Sequence, residues 1–206
     1  MLRRDSIRTW GSVASLLLSA LWSCADVRVP HVFSDNMVLQ RDQPIAVWGS
    51  AGEGEEITVR LNNSEAKTEA RNGKWKVNLP KQKAGGPHEL IVRGKNELRF
   101  QNVLVGEVWI CSGQSNMEWP LRAAFEAEQA IEHSENPKIR LLTVPKLKAN
   151  QPVDDIAGSW TECSASTVSN FSAVAYYFGR DLQKALNVPI GLIHTSWGGS
   201  PAEVWM

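Results

Sequence analysis

The sequence has no excess of charge of either sign, because 22 Lys and Arg residues balance 22 Asp and Glu residues in a chain of 206. A general electrostatic attraction to nucleic acid or to an anionic membrane is therefore not expected. Low-complexity polar tracts are also lacking, whereas 43% of the residues are hydrophobic and 9 are Trp. This composition argues against disordered, collagen-like and coiled-coil chains and is typical of one large or two small globular domains.

Cysteine is scarce, since the chain contains only Cys24, Cys111 and Cys163. Three cysteines are too few for a disulfide scaffold, and their spacing suits no zinc site. We expect Cys111 and Cys163 to be buried free thiols, with a bridge between them as the alternative. No metal site is predicted from the cysteines.

Long apolar runs are confined to the first 25 residues, where residues 13–22 follow a basic segment. This run is shorter than the roughly 20 residues that a membrane-spanning helix needs. Residues 1–25 therefore resemble a signal peptide that ends at the small residue Ala25. Residues 21–24 also approximate a bacterial lipobox, in which Cys24 would carry a lipid anchor. We expect a secreted or periplasmic protein, or alternatively an outer-membrane lipoprotein.

Residues 26–105 have the sequence pattern of short strands separated by turns. Apolar and polar residues alternate over 57–61 and over 75–79, so each run has one face suited to burial. Asn72 and Gly73 tolerate the positive φ of a tight hairpin turn. This pattern predicts an all-β sandwich or small barrel that serves as an accessory domain.

The pattern changes after Gly106, where apolar segments alternate with helical periodicity. The elements predicted are strands over 107–111, 138–144 and 189–194, and helices from Pro120 and over 172–186. The run 107–111 is almost uninterrupted, as expected for a strand covered on both faces. Such an alternation predicts a parallel α/β sheet, whose sites form at the carboxyl ends of the strands.

Two glycine-containing turns follow predicted strands and could meet at that edge. Ser115 follows Gly113 in the first turn, and a sharp turn can expose a serine hydroxyl as a nucleophile. Gly198 and Gly199 in the second turn allow backbone N–H groups to approach a ligand closely. Taken alone, Ser115 could equally be a turn serine that bonds to its own backbone.

The run from Gly113 to Met117 resembles the nucleophile block of the sialate O-acetylesterase group of SGNH/GDSL-type carbohydrate esterases. Further blocks in the family's order are residues 37–41, 47–49, 106–109, 171–174, 177–180, 189–193 and 196–200. The resemblance implies an all-β sandwich domain over 26–105. It also implies that 106–206 form the first part of an α/β SGNH, flavodoxin-like hydrolase domain.

The resemblance implies hydrolysis of acetyl esters on O-acetylated sugars or polysaccharides. Ser115 would attack the acetyl carbonyl, and its N–H together with that of Gly198 or Gly199 would bind the oxyanion. Neither a metal nor an organic cofactor is implied. The residues assigned to substrate binding are Gln114, Asn116, Trp119 and Trp197. The two tryptophan rings flank the turns and could cover a sugar face, with core packing as the alternative.

Two blocks of the family are absent from the 206 residues. One is a Gln-Gly-Glu block with an oxyanion donor, and the other is the Asp-x-x-His block that carries the general base. The residues three positions before the four histidines are Arg28, Gly85, Ala130 and Gly191. We therefore expect the chain to be the N-terminal part of a longer esterase and to be inactive by itself, with His194 as an alternative base.

Two other functions remain open at this point. One is a non-catalytic carbohydrate-binding protein, in which the sandwich and the tryptophan-bearing turns bind sugar. The other is an SGNH hydrolase that acts on a different ester. The sequence does not choose among acetylated sugars.

Overall fold

The computed structural model describes residues 26–201 and residue 203. The predicted signal peptide and the lipid-anchor alternative at Cys24 lie outside the described residues. The strands are β1 (Val38–Gln40), β2 (Ile45–Ser50), β3 (Glu56–Leu61), β4 (Ser64–Glu69), β5 (Lys74–Leu79), β6 (Gly85–Arg93), β7 (Glu97–Gly113), β8 (Asn136–Thr143), β9 (Thr161–Cys163) and β10 (Ile190–Ser196). The helices are α1 (Ser115–Glu118), α2 (Ala127–Glu132), α3 (Ala165–Val168), α4 (Ala173–Leu186) and the 3-10 helix Leu121–Ala123. None of the described helices has the length and apolar character needed to cross a membrane.

Strand β7 is 17 residues long and runs through both parts of the chain. Its first half pairs antiparallel with β6 as far as Val105, and its second half, from Glu107 to Gly113, pairs parallel with β10. The large sheet has the order β4-β3-β6-β7-β10-β8-β9, and β1 pairs with the middle of β7. The domain boundary predicted between 105 and 106 thus falls inside one continuous strand, and the division into two domains stays a prediction.

The amino-terminal half packs two sheets around one core. Strands β2 and β5 form a separate antiparallel pair, and their inward residues join the core cluster formed with β3, β6 and β7. The alternation predicted over 57–61 is confirmed, because Ile57, Val59 and Leu61 are fully buried. The alternation predicted over 75–79 is also confirmed, because exposed and buried residues alternate along the whole of β5.

The turn predicted at Asn72 and Gly73 is present, with φ of 53° and 73°. It connects β4 to β5, which lie in different sheets and share only the bridge between Arg71 and Lys74. The predicted tight hairpin turn is therefore confirmed, with two backbone hydrogen bonds between Arg71 and Lys74, but the strands on either side do not continue to pair with each other. Strand β4 pairs instead with β3, while β5 pairs with β2 and thereby buries its apolar face.

The carboxyl-terminal half confirms the predicted second helix and the parallel strands. Helix α4 begins after Ser172, whose hydroxyl accepts the N–H of Ala175, and it covers β10. Strand β10 lies between β7 and β8 and is parallel to both. The carboxyl ends of β7 and β10 therefore reach the same edge of the sheet, as the glycine turns predicted.

Two expectations for this half are wrong. The single helix predicted from Pro120 is divided into the 3-10 helix and α2, because Ala124 is extended and Glu126 is left-handed with φ of 52°. The strand 107–111 is not covered on both faces within the described residues, since Trp109 and Ile110 are 43% and 70% exposed. Phe178 of α4 meets the ring of Trp109 edge-on, with centroids 5.1 Å apart, but this contact leaves Trp109 partly exposed. Ile110 points to the opposite face of the strand and is the more exposed of the two.

Cys111 and Cys163 are both free and buried, as predicted. Burial raises the pKa of the Cys111 thiol to about 11 and that of Cys163 to about 12. Burial raises a thiol pKa because it disfavours the charged thiolate. Both cysteines are therefore neutral side chains of the core at neutral pH.

Candidate active site

Ser115 lies where β7 ends and α1 begins. Gly113 closes the strand with φ of 143°, a conformation that residues with a Cβ rarely adopt. Gln114 is the N-cap of α1, and its side-chain oxygen accepts the N–H of Ser115. This local arrangement leaves Ser115 exposed at the carboxyl edge of the sheet, where the sequence placed the nucleophile.

The hydroxyl of Ser115 has one hydrogen-bond partner in the described part of the chain. Its Oγ donates to Oε1 of Gln114 over 3.2 Å, and the N–H of Ser115 reaches the same oxygen over 3.5 Å. No histidine of residues 26–201 hydrogen-bonds to this hydroxyl. Gln114, predicted to bind substrate, is therefore engaged with Ser115 itself.

An open cleft of about 530 Å³ lies over Ser115. Its lining includes Ser115, Glu118, Trp119, Lys146, His194 and Ser196. The ring of Trp119 is 54% exposed, and its Nε1 donates to the carbonyl of Ala123 over 2.9 Å. An exposed ring held by one edge leaves a flat face free, as a sugar-binding tryptophan requires.

The remaining predicted site residues do not line this cleft. Asn116 is exposed on α1. Trp197 lines an adjacent cleft of about 310 Å³, where the Nζ atoms of Lys146 and Lys148 lie 5.8 and 6.0 Å from its ring centre. The structure thus brings Ser115 and Trp119 together and places Trp197 on the neighbouring surface.

Glu118 and Lys146 are site residues that the sequence analysis missed. The carboxylate of Glu118 accepts the N–H of Gly198 and forms an ion pair with Lys146. These two contacts, the ion pair first, lower the pKa of Glu118. The position of Glu118 one helical turn after Ser115 was a signal for its proximity, whereas the distant Lys146 had none.

The three predicted oxyanion donors differ in availability. The N–H of Gly198 is bonded to Glu118. A Cβ at Gly198 would lie 2.7 Å from Oε2 of Glu118 and 3.6 Å from the Cα of Ser115, so the turn packs directly on α1. Gly199 has φ of 77° and open space where a side chain would stand. The N–H of Ser115 makes only the long contact to Gln114.

His194 is buried on β10 and faces the same cleft. Its Nε2 lies 2.5 Å from the Oγ of Ser196, and its ring meets Phe171 edge-on with centroids 5.3 Å apart. Its Nδ1 has no hydrogen bond of good geometry to any described residue. Burial lowers the pKa of His194, while the Glu118 carboxylate and the Met117 backbone act in the opposite direction. His194 is therefore paired with Ser196, not with Ser115.

The described residues hold no cluster of three or more His, Cys, Asp or Glu side chains that could bind a metal ion. The chemistry available in the cleft is that of a hydroxyl, backbone N–H groups, an imidazole and the Glu118–Lys146 pair. This set of groups is suited to acyl transfer or to sugar binding.

Comparison with known proteins assigns the chain to the carbohydrate esterases. Residues 105–206 match the family model described as carbohydrate esterase, sialic acid-specific acetylesterase. A solved structure, that of a carbohydrate acetylesterase from Xanthomonas citri, superposes with a TM-score of 0.85 and 40% identity. The chain belongs, through residues 105–206, to the family of sialic acid-specific acetylesterases.

The curated relatives include proteins named sialate O-acetylesterase. The human protein is 34% identical over 200 residues, covering 86% of this chain, and the rat protein is 35% identical over 196 residues, covering 84%. The chain spans 38% of the human relative and 36% of the rat relative. The match to the Xanthomonas citri structure covers 87% of this chain and 42% of that one.

Proposed function

We propose that this protein is an exported serine esterase that removes acetyl groups from O-acetylated sugars. The observation that carries the proposal is the position of Ser115. It is exposed in an open cleft at the carboxyl edge of parallel strands, inside the segment that matches the acetylesterase family. Trp119 at the rim of the cleft supplies an apolar face of the kind that binds sugar rings.

The reaction follows from the chemistry of a serine nucleophile. The Oγ of Ser115 attacks the acetyl carbonyl carbon while its proton passes to a general base. The bond to the sugar oxygen then breaks, and the sugar leaves as an alcohol that takes up a proton. Water attacks the acetyl-enzyme, releases acetate and restores the serine. Backbone N–H groups stabilise the oxyanion at each step, and losing one such donor costs about 10²–10³ in rate.

The general base is the part of this mechanism that the described residues lack. His194 lies in the cleft but bonds to Ser196, and no Asp-x-x-His block occurs in the 206 residues. We propose that the general base and the carboxylate that orients it belong to a segment of the protein other than these 206 residues. The same proposal treats 26–105 as a β-sandwich accessory domain and 106–206 as the first part of an SGNH-type domain.

Export is part of the proposal because residues 1–25 have the pattern of a signal peptide. The protein would then meet acetylated glycans outside the cytoplasm. Acylation of Cys24 would hold it at the outer membrane, whereas cleavage at Ala25 would release it.

Sugar binding without catalysis is a second candidate function. The observation that favours it is the hydrogen bond from Ser115 to Gln114, which leaves the hydroxyl without a base in residues 26–201. In that case the cleft and Trp119 bind an acetylated glycan but do not hydrolyse it.

The two candidate functions are tested with the complete protein, expressed from its gene up to the natural stop codon. Hydrolysis of p-nitrophenyl acetate that disappears in Ser115→Ala would support an esterase, and absence of hydrolysis with retained binding of acetylated glycan would support the second candidate. Ser112→Ala is the matched control, because Ser112 is exposed near the end of β7, three residues before Ser115, but does not line the cleft. A panel of O-acetylated sialic acid and acetylated xylan then distinguishes sugar acetylesterase activity from action on another ester.

A further inference from the structure

The carboxylate of Glu118 joins three separate segments around Ser115. Glu118 is on α1, one helical turn after Ser115, and it pairs with Lys146, which follows β8. Its other oxygen accepts the N–H of Gly198, in the turn that follows β10. One side chain therefore connects the serine turn with the second glycine turn.

The turn after β10 is held from both sides. The N–H of Trp197 donates to the carbonyl of Gly113 over 2.9 Å, and the N–H of Gly198 donates to Glu118. The hydrogen bond between a carboxylate and an N–H is stronger than one between neutral groups. The ion pair with Lys146 is partly exposed and contributes little by itself. The bond to Gly198 is thus the contact that fixes the turn.

The hydrogen bond from Gly198 to Glu118 limits which backbone N–H groups can donate to the oxyanion. An N–H that donates to a carboxylate is not available to a second anion at the same time. A Cβ at Gly198 would meet Oε2 of Glu118 at 2.7 Å, so a side chain there would displace the carboxylate from its present position. The N–H of Ser115 has only a 3.5 Å partner, and the N–H of Gly199 makes no hydrogen bond to another described residue.

We propose that Glu118 is a positioning residue that fixes the Gly198 turn against the serine turn, so that Ser115 and Gly199 donate to the oxyanion and Gly198 does not. This inference rests on the proposed esterase function. It assigns Gly198 to the packing of the turn and removes it from the set of oxyanion donors.

The charged and titratable groups that face Glu118 are Lys146 and His194, and Arg122 lines the same cleft. Lys146 and the Gly198 N–H hold the pKa of Glu118 below its ordinary value of 4.5. The carboxylate therefore stays charged at neutral pH, and the bond to Gly198 persists there.

Amide NMR spectra of the 206-residue chain test the contact without any assay of activity. At neutral pH we expect the Gly198 amide proton downfield of its position in Glu118→Ala, and a smaller upfield change in Glu118→Gln, which keeps an acceptor oxygen. The Gly199 amide should move less than that of Gly198. A Gly198 amide that does not respond to Glu118→Ala would overturn the proposal.

Two controls separate this contact from general destabilisation. Glu128→Ala removes an exposed Glu on α2 that makes no contact with the turn, and it should leave the Gly198 amide resonance unchanged. Lys146→Met and Lys148→Met both remove an ammonium group near Trp197, but only Lys146 pairs with Glu118. Only Lys146→Met should raise the pKa of Glu118, read from the pH at which the Gly198 amide resonance changes position.

Kinetics of the protein translated to its stop codon supply the second test. Glu118→Ala should lower kcat by about 10²-fold, with KM changed by less than about threefold, because a misplaced donor affects mainly the transition state. Glu118→Gln should recover a large part of that loss. A higher kcat in Glu118→Ala would contradict the proposal, since it would mean that Glu118 blocks a donor. Activity that survives Ser115→Ala would refute Ser115 as the nucleophile of the proposed function, while the NMR result would still decide the contact between Glu118 and Gly198.

Discussion

The hydroxyl of Ser115 donates a hydrogen bond of 3.2 Å to the side-chain oxygen of Gln114, a neighbour in the chain. An amide oxygen can orient a hydroxyl but cannot accept its proton, because an amide is a very weak base. The one imidazole in the cleft, His194, is bonded to Ser196. Within residues 26–201 the hydroxyl of Ser115 therefore contacts no group that could act as a general base.

The first prediction follows from this arrangement. The isolated 206-residue chain should hydrolyse p-nitrophenyl acetate only slowly, and Ser115→Ala should change that rate little. A serine without a base keeps only the contribution of oxyanion donors and binding, roughly 10³–10⁴ over water in serine proteases. Rapid turnover that is lost in both Ser115→Ala and His194→Gln would contradict this prediction and identify His194 as the base.

The second prediction concerns acid stability. Burial lowers the pKa of His194, so the folded chain binds fewer protons there than the unfolded chain, whose His has a pKa of about 6.5. The contribution of neutral His194 to the free energy of unfolding is complete above about pH 6.5. It is lost as the pH falls from there through the lower pKa that His194 has in the folded chain. Burial also lowers the pKa of His88, which adds to the same trend.

Urea unfolding at about pH 7.5 and at about pH 5.5 measures the effect. We expect the midpoint to fall at the lower pH, and to fall less in His194→Gln than in the unsubstituted chain. His133→Gln is the matched control, because His133 is exposed on the surface. An equal decrease in His194→Gln would show that His194 does not contribute.

The third prediction concerns the contact between the two halves of the chain. A Cβ at Gly191 on β10 would lie 2.8 Å from the Cβ of Val38 on β1 and 3.1 Å from the ring of Trp160. Gly191→Ala should lower the free energy of unfolding by about 1–3 kcal/mol, the usual cost of overpacking a core. Gly85→Ala is the control, because its nearest neighbour is 3.8 Å away. Equal melting temperatures for both variants would refute the close contact.

The fourth prediction concerns the exposed part of β7. Ile110 is 70% exposed, and beyond Gly106 the only described strand that pairs with β7 is β10. Such an apolar, unpaired edge favours association between chains. Ile110→Lys should therefore reduce self-association of the 206-residue chain in sedimentation experiments, while its melting temperature changes little. Val103→Lys, at a fully buried position of the same strand, should instead prevent folding.

The fifth prediction concerns export. If residues 1–25 are a signal peptide, mass spectrometry of the mature protein should find its N-terminus near Asp26, or an acylated Cys24 in the lipoprotein alternative. An intact Met1 on cytosolic protein would argue against export.

Several features could be predicted from local patterns of the sequence. The period-2 alternation over 57–61, the helical periodicity of α4 and the two glycine turns depend on near neighbours in the chain, and each is present in the structure. Tight turns depend on backbone preferences, so Asn72 and Gly73 were predictable in position. The pairing of the strands on either side of this turn could not be predicted, because β4 pairs with β3 and β5 pairs with β2.

The sequence by itself determined the position of Ser115 after a glycine turn, the serine block's family and the burial of Cys111 and Cys163. Only the tertiary structure decided that β7 is one strand through both halves, and that Glu118 engages Gly198 across 80 residues of chain. The contact between Glu118 and Gly198 forms because the parallel strands β7 and β10 end side by side at the same edge of the sheet. Local periodicity carries no information about such long-range register, because pairing energies are realised only once the whole sheet has formed.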